Sequence, residues 1–314
     1  MAGINCTSPN ISVVMPVYNS ATYLEAAIGS ILNQSFGDFE FIIIDDGSED
    51  NSYRIIQCYN DSRIRLFKNE VNKGIASCLN FGINHSCGEF IARMDSDDIC
   101  ELNRFEEQLK FMQNHPHISL CGTRTKIIDQ DGQVLSIRES KIGDQQIKIA
   151  LFLGETSISH PTAIIRRKFL LFNHLYYNPD YLYAEDYELW CRISILTDLE
   201  NLSVPLVRYR VHEKSSSALF PKIQRLFARA ALSTYMQRIR VPYTPEEMYL
   251  HYQFSLPMNE AKSHTLCDDV LSWKNKLISM NDKHGWFNRE IFRVELEKRY
   301  RKFLNYRQER IIET

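Results

Sequence analysis

Several common classes of protein are excluded by what this sequence of 314 residues lacks. No run of apolar residues approaches the ~20 that a membrane-crossing helix needs, so no such span is expected. The eight cysteines, Cys6, Cys58, Cys78, Cys87, Cys100, Cys121, Cys191 and Cys267, include no C-x-x-C pair. Most sit inside apolar runs, as small core residues do, which argues against a zinc site or a disulfide framework and for a reducing compartment. A net charge of -2 supplies no basic surplus for nucleic acid. No G-x-G-x-x-G follows an apolar run, and no Gly-rich loop follows the first one, "ISVVMPVY". A dinucleotide oxidoreductase and a sugar-nucleotide pyrophosphorylase therefore both lack the phosphate loop they require. The opening "MAGINCTSPN" has no basic segment followed by an apolar one. It predicts no secretory signal and a cytoplasmic protein.

What is present is an alternation of strands and helices. "ISVVMPVY" (11–18) reads as a buried strand stopped near Pro16. Ser20 is the expected N-cap of a helix whose Leu24, Ala27, Ile28, Ile31 and Leu32 share one face. "FEFIIID" (39–45), "IRLFKN" (64–69) and "EFIARMD" (89–95) read as further strands. Helices are expected in "SYRIIQCYN", "IASCLNFGINHS" and "RFEEQLKFMQNHP". Near-continuous apolar strands alternating with helices predict a parallel sheet covered on both faces, with ligand bound beyond the carboxyl ends of the strands. Asp45, Asp46, Asp95, Asp97 and the loop "NEVNKG" all fall at that edge. From about residue 117 a hairpin is expected around Asp131-Gly132, then a strand and helix start in "HPTAIIRRKFL", a helix in "AEDYELWCRISIL" and a strand in "VPLVRYRVH" (204–212). Beyond 221 the pattern is helical, punctuated by Pro242, Pro245 and Pro257.

Carboxylates gathered in one crevice repel each other and raise one another's pKa. A divalent cation removes that penalty, and oxygen ligands suit Mg²⁺ or Mn²⁺ bound through one or two carboxylates plus substrate phosphates. The D-x-D of "ARMDSDD", with no phosphate loop nearby, fits a metal-bridged nucleoside diphosphate. The simpler reading is that Asp95 to Asp98 favour the start of the next helix electrostatically. That reading accounts for any one acid better than for the whole set.

At this point the residues resemble a known family. "ISVVMPVYNSATYLEAAIGSILNQSFGDFEFIIIDDGSEDNS", with its P-x-Y-N turn, "ILNQSF" helix end and "DDGS" strand end, is similar to the opening of the inverting family 2 glycosyltransferases of the GT-A fold. "NKGIASCLNFGI" and "ARMDSDD" match the next two elements. The resemblance covers residues 10 to about 212 and weakens beyond. It implies an α/β GT-A domain over 1–220, with a nucleotide half (1–100) and an acceptor half (101–220), followed by a helical extension over 221–314.

The resemblance also implies roles. Pro16, Val17 and Tyr18 would hold the nucleobase of a UDP-sugar, with Asp46 accepting a hydrogen bond from uracil N3–H. Lys73 and Gly74 would line the nucleotide side. Asp95 and Ser96 would face the ribose or diphosphate, and Asp97 would coordinate Mn²⁺ or Mg²⁺, with His212 near the metal. Asp186, at the start of the "AEDYELW" helix, would be the base that deprotonates the acceptor hydroxyl, with Glu185 as the second choice. His160 and Trp190 would shape the acceptor side. Each has a plainer alternative: Tyr18 as core, Lys73 as a solvated cation, the 185–186 pair as helix-start carboxylates, His160 as a turn residue and His212 as structural. The Q-x-x-R-W signature of processive synthases is absent, so one sugar, or a few, is the expected product on a glycan or lipid-linked oligosaccharide. A sugar-nucleotide-binding protein that has lost transferase activity is the alternative.

The last segment, "WFNREIFRVELEKRYRKFLNYRQERII", mixes aromatic and basic residues at helical spacing. Two outcomes are open: a peripheral contact with the inner face of an anionic membrane, or a helix packed on the domain with a solvated charged face.

Overall fold

The first two strands, β1 (Ile11–Val17) and β2 (Phe39–Asp45), are buried almost throughout. Their side chains divide by alternation: Ile11, Val13, Met15, Phe39, Phe41 and Ile43 join one apolar cluster, while Val14, Ile42 and Ile44 join another on the opposite face. That is the pattern of a parallel strand covered on both sides. The chain is a computed structural model describing residues 8–213, 215–255 and 267–312. Cys6, Lys214 and Pro257 lie outside the described residues. The remaining seven cysteines are free thiols.

Between and after these strands the order is α1 (Leu24–Leu32), α2 (Ser52–Gln57), β3 (Ile64–Lys68), α3 (Ile75–His85), β4 (Phe90–Arg93), β5 (Ile99–Cys100) and α4 (Arg104–Asn114). The hairpin β6 (Ile118–Ile128) and β7 (Val134–Arg138) follows, then α5 (Asp144–Phe152), a 3-10 turn (His160–Thr162), β8 (Ile164–Arg166), α6 (Arg167–Phe172), α7 (Glu185–Ser194) and β9 (Asp198–Arg210). The remainder is helical: α8 (Ser216–Leu219), α9 (Pro221–Arg238), α10 (Pro245–Ser255), α11 (Cys267–His284) and α12 (Arg289–Ile312).

One mixed sheet runs in the order β3-β2-β1-β4-β8-β6-β9-β5, with β7 beside β6. β3, β2, β1 and β4 are parallel, and Val17, Asp45 and Lys68 end in register. β8 is antiparallel to β4, so the 3-10 turn that precedes β8 lies at the carboxyl end of β4. β9 runs parallel to β6, which is itself antiparallel to β8, so the end of β9 returns to the same edge. This topology delivers His160 and His212 to the acidic strand ends although both come from the second half of the chain.

Four local expectations are corrected. α1 begins at Leu24, and Ser20 caps nothing with its side chain; its carbonyl closes a turn onto the N–H groups of Tyr23 and Leu24. β4 ends at Arg93, so Asp95 sits in the bend beyond it. α3 ends at His85, with Ser86 already extended. β9 begins at Asp198 rather than Val204, because its register on β6 starts at Ile118.

The C-terminal helices merge with the main core. Trp273, Phe287, Phe292, Leu296 and Phe303 share a cluster with Phe152 of α5 and Trp190 of α7. Within α12, Phe292, Leu296, Tyr300 and Phe303 are buried at helical spacing. The apolar face that marked this helix as a membrane candidate is turned into the protein. Among the described residues no helix is long and apolar enough to cross a membrane.

Candidate active site

Two acidic strand ends form the floor of the crevice, and they are built differently. Asp46, just beyond β2, is 3% exposed. Its Oδ1 accepts from Asn69 Nδ2 at 2.7 Å and from the Lys73 N–H at 2.9 Å, and its Oδ2 accepts from the Gly74 N–H at 2.9 Å. Gly74 aims its N–H from a φ of +85°, a conformation that suits glycine. Gly47 serves the same loop: a Cβ there would lie 3.0 Å from the Val71 backbone. Asp46 thus fixes the loop over 72–74, and Lys73 contributes its backbone there while its side chain is exposed.

The residues expected to hold a nucleobase separate on inspection. Val17 has its side chain in the core and its carbonyl taken by the Asp46 N–H at 2.8 Å, so it has little left to offer a ligand. Pro16 is half-buried within β1. Tyr18 is 47% exposed at the mouth of the crevice, which rules out the core reading for this residue. The turn behind it is tied to the Asp46 loop by Asn19, whose N–H donates to Ser48 Oγ and whose Oδ1 accepts from the Glu49 N–H. Ser20 Oγ lies 2.7 Å from Ser96 Oγ and joins this turn to the second acidic end.

That second end gathers Asp95, Asp97 and Asp98, each offering an oxygen within 4.8 Å of the others. Arg93, 3% exposed, pairs with Asp95, and its Nε has no hydrogen-bond partner. Asp97 Oδ2 is 3.0 Å from His212 Nε2. Asp98 is 1% exposed; its Oδ1 accepts from the Arg210 N–H at 2.7 Å, and its buried Oδ2 has no partner. Arg210 anchors the bend by donating to the carbonyls of Asp97, Asp129 and Gln130, with its guanidinium over the Tyr23 ring. Burial, then the charges of Asp97 and Asp95, raise Asp98 well above the usual carboxylate range. Burial likewise raises Asp95, against the opposing pull of Arg93. An all-oxygen set with mutual repulsion and an orphaned buried oxygen fits a hard divalent cation.

α7 supplies the other side. Its first turn carries Glu185, Asp186 and Glu188. Glu188 is occupied by Arg192 one turn on, at 2.6 Å. Glu185 is buried with Oε2 unpartnered, and burial followed by the Asp186 charge pushes it up to about 7. Asp186 is half-buried, accepts the Tyr187 N–H at 2.7 Å, and is pushed up to about 6 by burial. Arg93 and Asp95 act electrostatically on both, which brings α7 within range of the metal-type cluster.

His160 Nε2 lies 3.0 Å from the Tyr177 hydroxyl, and burial with Arg93 nearby lowers its pKa far enough to keep it neutral at pH 7. Trp190 is the clear correction. It is fully buried, its Nε1 donates to the Ile158 carbonyl, and its ring packs edge-on against His160, so it supports the floor rather than touching an acceptor. Arg93, Arg210 and Tyr177 went unnoticed in the sequence. The available signal was a lone arginine inside the apolar run "FIAR", which needs a buried anion nearby.

A GT-A-like curled sheet with acids at the strand ends defines a nucleotide-sugar transferase class of fold. Residues 12–172 match the family model described as glycosyl transferase family 2, and the chain belongs to that family. It is 31% identical to a glycosyltransferase of Haemophilus influenzae over 76% of this chain and 77% of that protein. It is 32% identical to WfgD of Escherichia coli, a UDP-Glc:alpha-D-GlcNAc-diphosphoundecaprenol beta-1,3-glucosyltransferase, over 68% of this chain and 83% of WfgD. Among solved structures, S. aureus TarS (residues 1–349) in complex with UDP-GlcNAc superposes with a TM-score of 0.63 at 20% identity, covering 95% of this chain and 89% of that one. The mannosyltransferase PcManGT of Pyrobaculum calidifontis, in complex with GDP-Man and Mn²⁺, superposes with a TM-score of 0.55 at 16% identity, covering 95% and 88%.

Proposed function

We propose that this glycosyltransferase moves a single hexosyl or N-acetylhexosaminyl unit from a UDP-sugar to a hydroxyl of a lipid-linked glycan, with inversion. The observation that carries the reading is the apposition of two groups of carboxylates, one suited to a cation and one poised to take a proton. Mn²⁺ or Mg²⁺ held by Asp97 with Asp95, and with His212 beside it, would neutralise the diphosphate as it leaves. WfgD, whose name specifies a UDP-glucose donor and a diphosphoundecaprenol-linked acceptor, supports the choice of donor and acceptor class.

The chain's own residues divide the remaining work. Tyr18 offers the exposed ring for the base, and Asp46 with the Lys73–Gly74 backbone shapes the wall beside it. As the acceptor oxygen bonds to the anomeric carbon and the bond from that carbon to the diphosphate oxygen breaks, the acceptor proton passes to Asp186. A base raised to about 6 is largely ionised at neutral pH yet basic enough to hold that proton. Glu185, buried behind it, stays the second candidate for this role. His160, neutral and fixed by Tyr177, faces the acceptor side.

Asp186→Asn keeps the shape and removes the proton acceptor. Turnover should fall roughly 10²–10⁴-fold while UDP affinity stays near wild type. If Asp186→Asn turns over normally and Glu185→Gln does not, the base is Glu185. If both retain activity, the acceptor lies elsewhere.

A further inference from the structure

We propose that the protein rests on an anionic bilayer through α8 and the first turns of α9, beside the mouth of the candidate active site. α12 has basic residues but its aromatic face is buried. α9 is built the other way round. Its inner face, Ala231, Leu232, Tyr235 and Met236, anchors it in the core. Its outer face leaves Ile223 and Leu226 40% and 63% exposed, and Leu219 at the end of α8 is 56% exposed. Ile223 and Leu226, three residues apart, share one side of α9, while Phe220 between the two helices departs from helical backbone with φ -124° and ψ 39°.

Charge complementarity selects the occupant. α9 contains Lys222, Arg225, Arg229 and Arg238 and no aspartate or glutamate. An exposed apolar strip beside the exposed Lys222, on a helix that carries no acid, matches an interfacial helix on anionic lipid, where acyl chains take the apolar residues and a headgroup the lysine. A soluble helix with a merely solvated face would ordinarily mix both signs of charge.

The patch is continuous with the site. Phe220, between α8 and α9, stacks on Tyr183 with ring centroids 4.7 Å apart and planes 7° from parallel. Tyr183 holds a φ of +62° two residues before Glu185, and its neighbour Leu182 is 53% exposed. A protein seated on lipid by this face presents the start of α7 to whatever projects from the headgroup layer. The inference takes its purpose from the lipid-linked acceptor proposed above, but its test uses neither donor nor acceptor.

The full chain is sedimented with vesicles of phosphatidylcholine alone and with vesicles containing phosphatidylglycerol, at low and high salt. Binding is expected only with the anionic lipid, weakened by salt. Ile223→Glu/Leu226→Glu, changes at exposed positions that leave the inner face intact, should lower the bound fraction roughly tenfold. Lys298→Glu/Arg301→Glu in α12 should leave it near wild type. No vesicle binding by the wild type overturns the inference, as does loss in the α12 variant with none in the α9 variant. A wild-type dimer that ignores vesicles and is split by Ile223→Glu/Leu226→Glu would also overturn it, assigning the patch to a second copy of the chain. Failure here leaves the transferase reading standing, since that reading is tested separately by turnover in Asp186→Asn and Glu185→Gln.

Discussion

The two acidic strand ends look alike as text, "IIIDDGS" and "IARMDSDD", yet Asp46 at the first and the group Asp95, Asp97 and Asp98 at the second are bonded differently, although Asp45 too keeps one buried oxygen without a partner. At the first, Asp46 is saturated by donors from the loop it organises, two of them backbone N–H groups. At the second, three carboxylates crowd together, Asp98 keeps a buried oxygen without a partner, and the chain meets them with Arg93 on Asp95, His212 on Asp97 and the Arg210 N–H on Asp98. The difference teaches what a bare D-D or D-x-D does not say. An acid that finds its donors within the chain builds a wall, whereas several acids crowded together and short of donors have the chemistry to suit a cation.

The contrast is most severely tested by Arg93→Met. Removing one partner of a buried ion pair leaves an uncompensated charge and costs about 3–5 kcal/mol. Chemical denaturation should show a loss of that order, partly recovered by added Mn²⁺, which replaces the missing positive charge. A variant as stable as wild type would mean that the acidic cluster needs no cation of any kind. Next in size is Asp97→Ala, which should weaken metal-dependent UDP binding by about 100-fold. Calorimetry with and without a chelator checks this, and equal UDP affinity under all conditions would remove the metal from the reading.

How far the sequence carried this contrast depends on which residues are considered. Apolar runs and the Asp131-Gly132 turn disclosed β1 to β4 and the β6–β7 hairpin, because burial on both faces and turn chemistry are local signals. β5 did not announce itself: it is two residues long and exists because Ile99 and Cys100 meet Arg208 and Val207. The start of β9 was hidden because "DLENLS" breaks the polar–apolar alternation at Glu200-Asn201 and takes its shape from β6. Trp190 illustrates the same limit in the site, since an aromatic beside a catalytic-type acid can be core or contact, and only packing decides. Arg210 was visible as a letter but not as an anchor, because its partners Asp97 and Asp98 lie more than a hundred residues away, whereas Arg93 stands beside Asp95 in the text and only its burial was hidden.

A gentler change sharpens the comparison from the other side. Asp46→Asn retains the shape but offers one oxygen in place of two, so Lys73 N–H or Gly74 N–H must face an amide N–H. Leaving such a buried donor unsatisfied costs on the order of 2 kcal/mol. Stability and UDP affinity should both fall by amounts of that order, while the dependence of binding on Mn²⁺ persists. If the chelator loses its effect in this variant, Asp46 belongs to the cation site and the division between wall and cluster is wrong.

The smallest effect lies in the pH dependence of the metal-free protein. Asp95, Asp98, Glu185 and Asp186 all bind protons more tightly when folded than their ordinary values, with Glu185 at about 7 and Asp186 at about 6. A folded state that holds more protons than the unfolded one loses stability as pH rises through the interval between the two pKa values. Between roughly pH 4 and pH 7 these groups should therefore make the metal-free protein less stable, against the opposite slope of the depressed carboxylates Glu40, Asp50 and Glu101. Mn²⁺ should flatten or reverse the slope, because the cation favours the same ionised carboxylates that folding alone disfavours. Asp97→Ala should have a shallower slope without metal, having lost one of the repelling charges, and little response to Mn²⁺. A metal-free slope that Asp97→Ala leaves unchanged would show that the four carboxylates are already compensated, and that the crowded end of the crevice is as well satisfied as the other.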